Sequence, residues 1–170
     1  MPDAPPEIFD RALRRKRRDR AAAGYTDFAF LRDHMLEGIA ERLSAVKRDF
    51  RDVLDLGSFD GGFTLPGATI TRIDAGAEFA RRSGSIHADE DLTRFPDASF
   101  DLIVSAGVLD QVNDVPGALA LARRALRPDG LFLGAFAGAG SLDRRVEREH
   151  VRLAGDRLDG RGDRLNLVHC

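Results

Sequence analysis

The chain has 170 residues, 43% of them hydrophobic and 32% charged, which is enough for one domain with its own core and short of two. A net charge of -2 supplies no global attraction to nucleic acid or to an anionic membrane, so nucleic acid is not an expected partner. The one cysteine, Cys170, closes no intrachain disulfide, which fits a reducing, cytoplasmic setting. The longest apolar stretches, Leu102 to Leu109 and Leu131 to Gly140, fall short of the ~20 residues of a membrane span, so no transmembrane segment is expected. The N-terminal basic residues run straight into a polar and aromatic stretch rather than into the apolar segment of a secretory signal.

After the Pro-rich residues 1–6, a basic helical segment begins at Ile8, and seven of the residues from Arg11 to Arg20 are Arg or Lys. Such a run reads either as a solvated helix face anchored by Ile8, Phe9 and Leu13, or as a patch for an acidic partner. From Thr26 to Val46, Phe28, Leu31, Met35, Ile39, Leu43 and Val46 recur every three or four residues, predicting an amphipathic helix with Thr26 or Asp27 as N-cap.

Strands and helices then alternate. The apolar run at Asp52 to Leu56 opens into Gly57-Ser58-Phe59-Asp60-Gly61-Gly62, the construction of a buried strand feeding a ligand-binding turn. A second strand at Thr69 to Ile73 ends on Asp74, and a short helix follows at Ala77 to Arg82. A third strand at Ser85 to Ala88 ends on Asp89-Glu90-Asp91. A fourth, Phe100 to Ser105, is apolar enough for burial on both faces. Asp114 caps the next helix, Arg127 to Gly130 turns the chain, and Leu131 to Phe136 is the fifth strand. This alternation predicts an α/β fold with a mostly parallel sheet and helices on both faces. Leu142, Val146, His150 and Leu153 suggest one more helix; Gly155 to Arg164, almost all Gly, Asp and Arg, suggests no strand. The expected division is 1–50 for N-terminal helices packed on the core, 51–140 for the core, and 141–170 for a C-terminal helix and polar tail.

Three acids stand at successive strand ends. Asp55, inside the first strand, is placed to hold loop amides or a cationic ligand group. Asp74, 19 positions further on, is placed to take both hydroxyls of a ribose, and Asp89 to accept from an exocyclic adenine amine. Gly57 and Gly61 let backbone approach a ligand closely. Such a set suits a positively charged nucleoside without phosphate, since a phosphate favours a helix N-terminus with basic company. The nicotinamide fingerprint, Gly-x-Gly-x-x-Gly, is not matched by glycines at 57, 61 and 62. His87, Asp89 and His150 formally offer a two-histidine, one-carboxylate iron set, but Asp89 is better used on adenine and no metal site is expected.

Asp55 to Gly61, Ile73-Asp74, Ala88-Asp89-Glu90, Pro96 to Ser105 and Leu126 to Phe132 resemble the ordered motifs of the class I S-adenosylmethionine-dependent methyltransferases. Ile8-Phe9-Asp10-Arg11 with its basic run, and Val112 to Leu119, resemble more narrowly the bacterial relatives of a mitochondrial complex I assembly factor linked to arginine hydroxylation. That branch also resembles the biotin-pathway malonyl-carrier methyltransferases. The resemblance implies a Rossmann-like three-layer sandwich, S-adenosylmethionine as cofactor, and a small-molecule or protein methyl acceptor. It implies Gly57 and Gly61 beside the methionine part, Asp74 at the ribose, and Asp89 with Glu90 at the adenine; it names no catalytic residue. The chain departs from the pattern at Phe59, where the family has glycine, and in the 62–69 link, which has room for about one helical turn. The family's last two strands have no evident counterpart, so the sheet is expected to stop at about five strands. The alternative function is therefore a non-catalytic or weakly binding assembly factor, or a truncated pseudoenzyme.

Overall fold

A computed structural model of the chain describes residues 7–138 and the strand at 166–168. Six strands form one sheet: β1 (Asp52–Leu56), β2 (Thr69–Asp74), β3 (Ile86–His87), β4 (Phe100–Ala106), β5 (Leu126–Phe136) and β6 (Asn166–Val168), in the order β3-β2-β1-β4-β5-β6. β1 to β5 are mutually parallel. β1 and β4 are neighbours although β2 and β3 lie between them in sequence, so the order reverses there, and the carboxyl ends of β1 and β4 border the crevice where open α/β sheets bind ligands.

Among the described residues four α-helices accompany the sheet: α1 (Arg11–Ala22), α2 (Phe30–Ala45), α3 (Ala77–Ser83) and α4 (Val115–Ala125). α2 turns Met35, Ile39 and Leu43 onto one face, against Phe50, Val53, Leu102, Val104 and Leu133. On the other face Ala122 and Ala125 of α4 meet Leu54, Leu56, Ile73, Ile103 and Phe132. β4 is buried along its whole length between these layers, as its apolar segment Leu102-Ile103-Val104 requires. α4 starts as expected at Asp114, whose side chain accepts from the Gly117 amide at 2.8 Å.

The first turn of the predicted 26–46 helix is different. Tyr25–Phe28 is a 3-10 turn, and α2 begins at Phe30 after an Ala29 that makes no side-chain cap, so neither Thr26 nor Asp27 caps it. The cause is Tyr25, whose ring packs on Phe59 at 5.2 Å and on Phe79 at 5.0 Å and bends the chain towards the strand tips.

The Arg127 to Gly130 stretch is an irregularity inside β5 rather than a turn before it. Leu126 already pairs with Phe100, the register shifts before Leu102, and Asp129 takes a positive φ of 63°. Arg127 holds the bulge down by donating to Asp52 and Asp101, each at 2.8 Å. The 62–68 link contains no helix.

β6 corrects the expectation that the sheet gains nothing after the fifth strand. It runs antiparallel to β5, pairing Gly134 with Val168 and Phe136 with Asn166. Three residues after a Gly, Asp and Arg stretch are too few to show a period. The helix expected on Leu142 to Leu153 lies outside the described residues.

Candidate functional site at the strand tips

The loop after β1 is built by two short-range devices. Gly57 and Gly61 have φ of 73° and 78°, a region that disfavours side chains. A Cβ on Gly57 would also stand 2.7 Å from Val108. The loop closes on β2, with Gly57 and Ser58 donating to the Ile73 carbonyl at 3.0 and 2.9 Å.

Asp74, fully buried at the tip of β2, is the hub. Its carboxylate accepts from the Phe59 amide at 2.8 Å and from the Gly76 amide at 2.7 Å, so it ties the β1 loop to the start of α3. Asp55 is buried as well, and Arg32 of α2 donates to both its oxygens at 3.2 and 3.3 Å. Burial pushes the Asp55 carboxyl above its usual range, against the pull of Arg32 and Arg72. Asp89 and Glu90 follow β3 and are also buried. The structure thus brings Asp55, Gly57, Gly61, Asp74, Asp89 and Glu90 to one end of the sheet.

What the sequence reading missed is what meets these acids. α1 lies across the strand tips and presents Arg11, Arg14, Arg15 and Arg18, spaced three or four apart and therefore on one face. Arg18 is buried and reaches Asp74 with two donors, Nε to Oδ1 at 3.0 Å and Nη2 to Oδ2 at 2.5 Å. Arg15 donates to both oxygens of Asp89, Arg14 Nη1 to Glu90 at 2.9 Å, and Arg11 forks onto Asp91 with two bonds of 2.7 Å. Burial pushes the Asp91 carboxyl up, but Arg11 and the Asp114 amide outweigh it and hold Asp91 below its usual range. Neither reading of the basic run, as a solvated face or as a patch for an outside acid, anticipated these partners, since charge alone gives no address within the chain. A heptad-like reading of 11, 14, 15 and 18 as one face was the available signal.

α1 is seated closely. A Cβ on Gly76 would stand 2.9 Å from the Arg18 Cβ, so the helix passes directly over the tip of β2. Asp19 accepts from the Glu78 amide in the first turn of α3 at 2.9 Å, and Arg82 of α3 donates to the Ala22 carbonyl at the end of α1 at 2.9 Å. Each helix therefore satisfies a terminal group of the other.

Phe59 has a φ of 49°. Its ring stacks on Tyr25, meets the Phe79 ring edge-on at 5.4 Å and lies under the Arg18 guanidinium at 4.1 Å, so it forms a wall of the site with two other aromatics. Burial pushes the Tyr25 phenol well above its usual range, which keeps it protonated at neutral pH. Beside this wall is a cavity of about 600 Å³ bordered by Leu13, Arg17, Tyr25, Phe28, Phe79 and Gln111. His87 Nε2 lies 3.1 Å from the Ala75 carbonyl, and among the described residues no group of three or more His, Cys, Asp or Glu side chains is placed to hold a metal ion.

Residues 54–134 match the sequence profile of a methyltransferase domain. Over this stretch the chain is similar to the class I S-adenosylmethionine-dependent methyltransferases. The chain is 36% identical over 149 residues to the mitochondrial arginine-hydroxylase NDUFAF5 of Rattus norvegicus, covering 79% of the chain and 43% of that protein. It is 31% identical over 151 residues to the malonyl-[acyl-carrier protein] O-methyltransferase of Geobacter sulfurreducens, covering 79% and 57%. The chain thus spans about half the length of these relatives. A 1,6-didemethyltoxoflavin-N1-methyltransferase from Burkholderia thailandensis, solved with S-adenosylhomocysteine, superposes with a TM-score of 0.60 at 23% identity over 78% of this chain and 66% of its own. That likeness establishes the fold, a Rossmann-like α/β methyltransferase core.

No helix among the described residues is long and apolar enough to cross a membrane.

Proposed function

We propose that this chain transfers a methyl group from S-adenosylmethionine to a small-molecule or protein acceptor, in the reducing, cytoplasmic setting expected from its single cysteine. The observation that carries the reading is the convergence of Asp74 with the β1 loop: a buried carboxylate at the tip of β2, fixed by two backbone amides, beside glycines in left-handed conformations. Asp74 would hold the ribose hydroxyls, Asp89 and Glu90 the adenine, and Gly57 and Gly61 would let backbone lie against the methionine part. Asp55 would hold the loop and the local charge balance. When bound, the cofactor supplies an electrophilic methyl group on a sulfonium. The protein's contribution is orientation and exclusion of water, for which Phe59, Phe79 and Tyr25 provide an apolar wall. The part of the adjoining cavity walled by Tyr25, Phe28 and Phe79 would be the acceptor side. Because Tyr25 stays protonated, it serves there as a hydrogen-bond donor and not as a base.

A second reading has its own observation. The acids that would hold the cofactor are paired with arginines of α1, which favours a weakly binding or non-catalytic protein of the assembly-factor kind. The outward basic residues Lys16, Arg17 and Arg20 would then be the part of the segment that meets an acidic partner.

Calorimetric titration of the full chain with S-adenosylmethionine, S-adenosylhomocysteine and NAD separates the two. Binding of the first pair, weakened at least tenfold in Asp74→Ala, supports the methyltransferase reading. No binding at millimolar ligand would sink it.

A further inference from the structure

We propose that α1 is an internal stand-in for the adenosine of the cofactor, and that it must leave the strand tips before the cofactor is seated. The proposal rests on the cofactor reading above and adds a competitor to it.

The correspondence is donor for donor. The two hydroxyls of a ribose offer a carboxylate two parallel donors; the Arg18 guanidinium offers Asp74 the same pair through Nε–H and Nη2–H, at 3.0 and 2.5 Å. An adenine amine offers one or two N–H groups to an acid after β3; Arg15 and Arg14 offer theirs to Asp89 and Glu90. The guanidinium of Arg18 also lies over the Phe59 ring at 4.1 Å, in the position of a cationic ligand group against that wall. A carboxylate fixed by two amides and forked by an arginine has no lone pairs left for a ribose. Asp74 therefore serves either α1 or a nucleoside.

The helix is also made to come off as a unit. Its four bridging arginines share one face, and its other ties to the core include the reciprocal Asp19 to Glu78 and Arg82 to Ala22 bonds. Releasing it exposes charged side chains that water solvates well, while the apolar layers around the sheet stay packed. The apparent affinity for cofactor is then the affinity of the open form reduced by the fraction of molecules that are open.

The test uses the full chain with Arg15→Gln and Arg18→Gln together, which shortens the donors without removing helix-forming residues. Calorimetry with S-adenosylhomocysteine should show binding at least tenfold tighter than in the unaltered protein. Equal or weaker binding by a variant with an unchanged circular dichroism spectrum overturns the proposal. In the unaltered protein, saturating S-adenosylhomocysteine should speed amide hydrogen exchange across residues 11–22; exchange that is unchanged or slower there overturns it too. Absence of binding in both proteins defeats the cofactor reading together with this proposal, whereas equal binding in both defeats this proposal alone.

Discussion

The two layers around the sheet and the rim at its strand tips are held by different physics. In the layers, Met35 and Ile39 on one face and Ile103 and Phe132 on the other are almost wholly out of water. Each such side chain contributes about 1.5–3 kcal/mol by leaving solvent, and no ligand supplies an equivalent. At the rim, buried carboxylates meet guanidiniums, of which Arg18 is itself buried, and their mutual attraction largely offsets the cost of taking the charges from water. Those partners are exchangeable, because any group with the same donors serves. The contrast teaches that the core fixes where the acids stand, and the rim decides what they hold.

Breaking the core should have the largest effect. Ile39→Ala, at a fully buried position of α2, should lower stability by about 2–5 kcal/mol in denaturant melts, with no dependence on salt or ligand. Arg18→Ala should lower the stability of the ligand-free protein by up to about 3–5 kcal/mol, since it leaves Asp74 buried without its cation. The distinguishing expectation is that S-adenosylhomocysteine stabilises this variant by more than it stabilises the parent, whereas Ile39→Ala gains no more from it than the parent does.

A smaller, pH-dependent effect is expected at the opposite end of β4. Asp101 accepts from Arg127 and from the Arg51 and Asp52 amides, and its carboxyl is held down to about 2, chiefly by the Arg127 bond. A folded value below the unfolded one of about 3.9 means that its stabilisation is present above pH ~4 and is lost as pH falls towards 2. Asp101→Asn should therefore be less stable than the parent at pH 6 and converge with it near pH 2, as read by melts across that range.

Smallest of all should be Phe59→Gly. The substitution relieves a left-handed backbone but removes the ring that seats Arg18, two opposing changes of about 1 kcal/mol each. Stability should move by no more than about 1 kcal/mol in either direction, and nucleoside binding should tighten because α1 is held less firmly. Weaker binding would show that the ring supports the ligand more than it supports the helix.

The fold was largely legible in the sequence because β1, β2 and β4 are short β-branched or apolar segments that end on Gly57, Asp74 and Gly107, and Gly84 stops α3. Asp55, Asp74 and Asp89 could be placed at strand tips from spacing alone. Three features were not legible for physical reasons. Thr26 to Phe28 leave the expected helix because Tyr25 just before them joins Phe59 and Phe79, a tertiary contact that local periodicity does not carry. β6 is too short to show a period and exists by pairing with the edge of β5. The partners of Arg11, Arg14, Arg15 and Arg18 lie 74 to 80 residues away for three of them and 56 for the fourth, far beyond any local pattern.

The most direct test of the exchangeable rim is a four-protein cycle titrated with S-adenosylhomocysteine: the parent chain, Arg18→Gln, Asp74→Asn and the double variant. If Asp74 serves helix and nucleoside in turn, Arg18→Gln should tighten binding at least tenfold where Asp74 is intact and change it little where Asp74 is Asn. The same gain in both backgrounds, or no gain in either, would contradict the account.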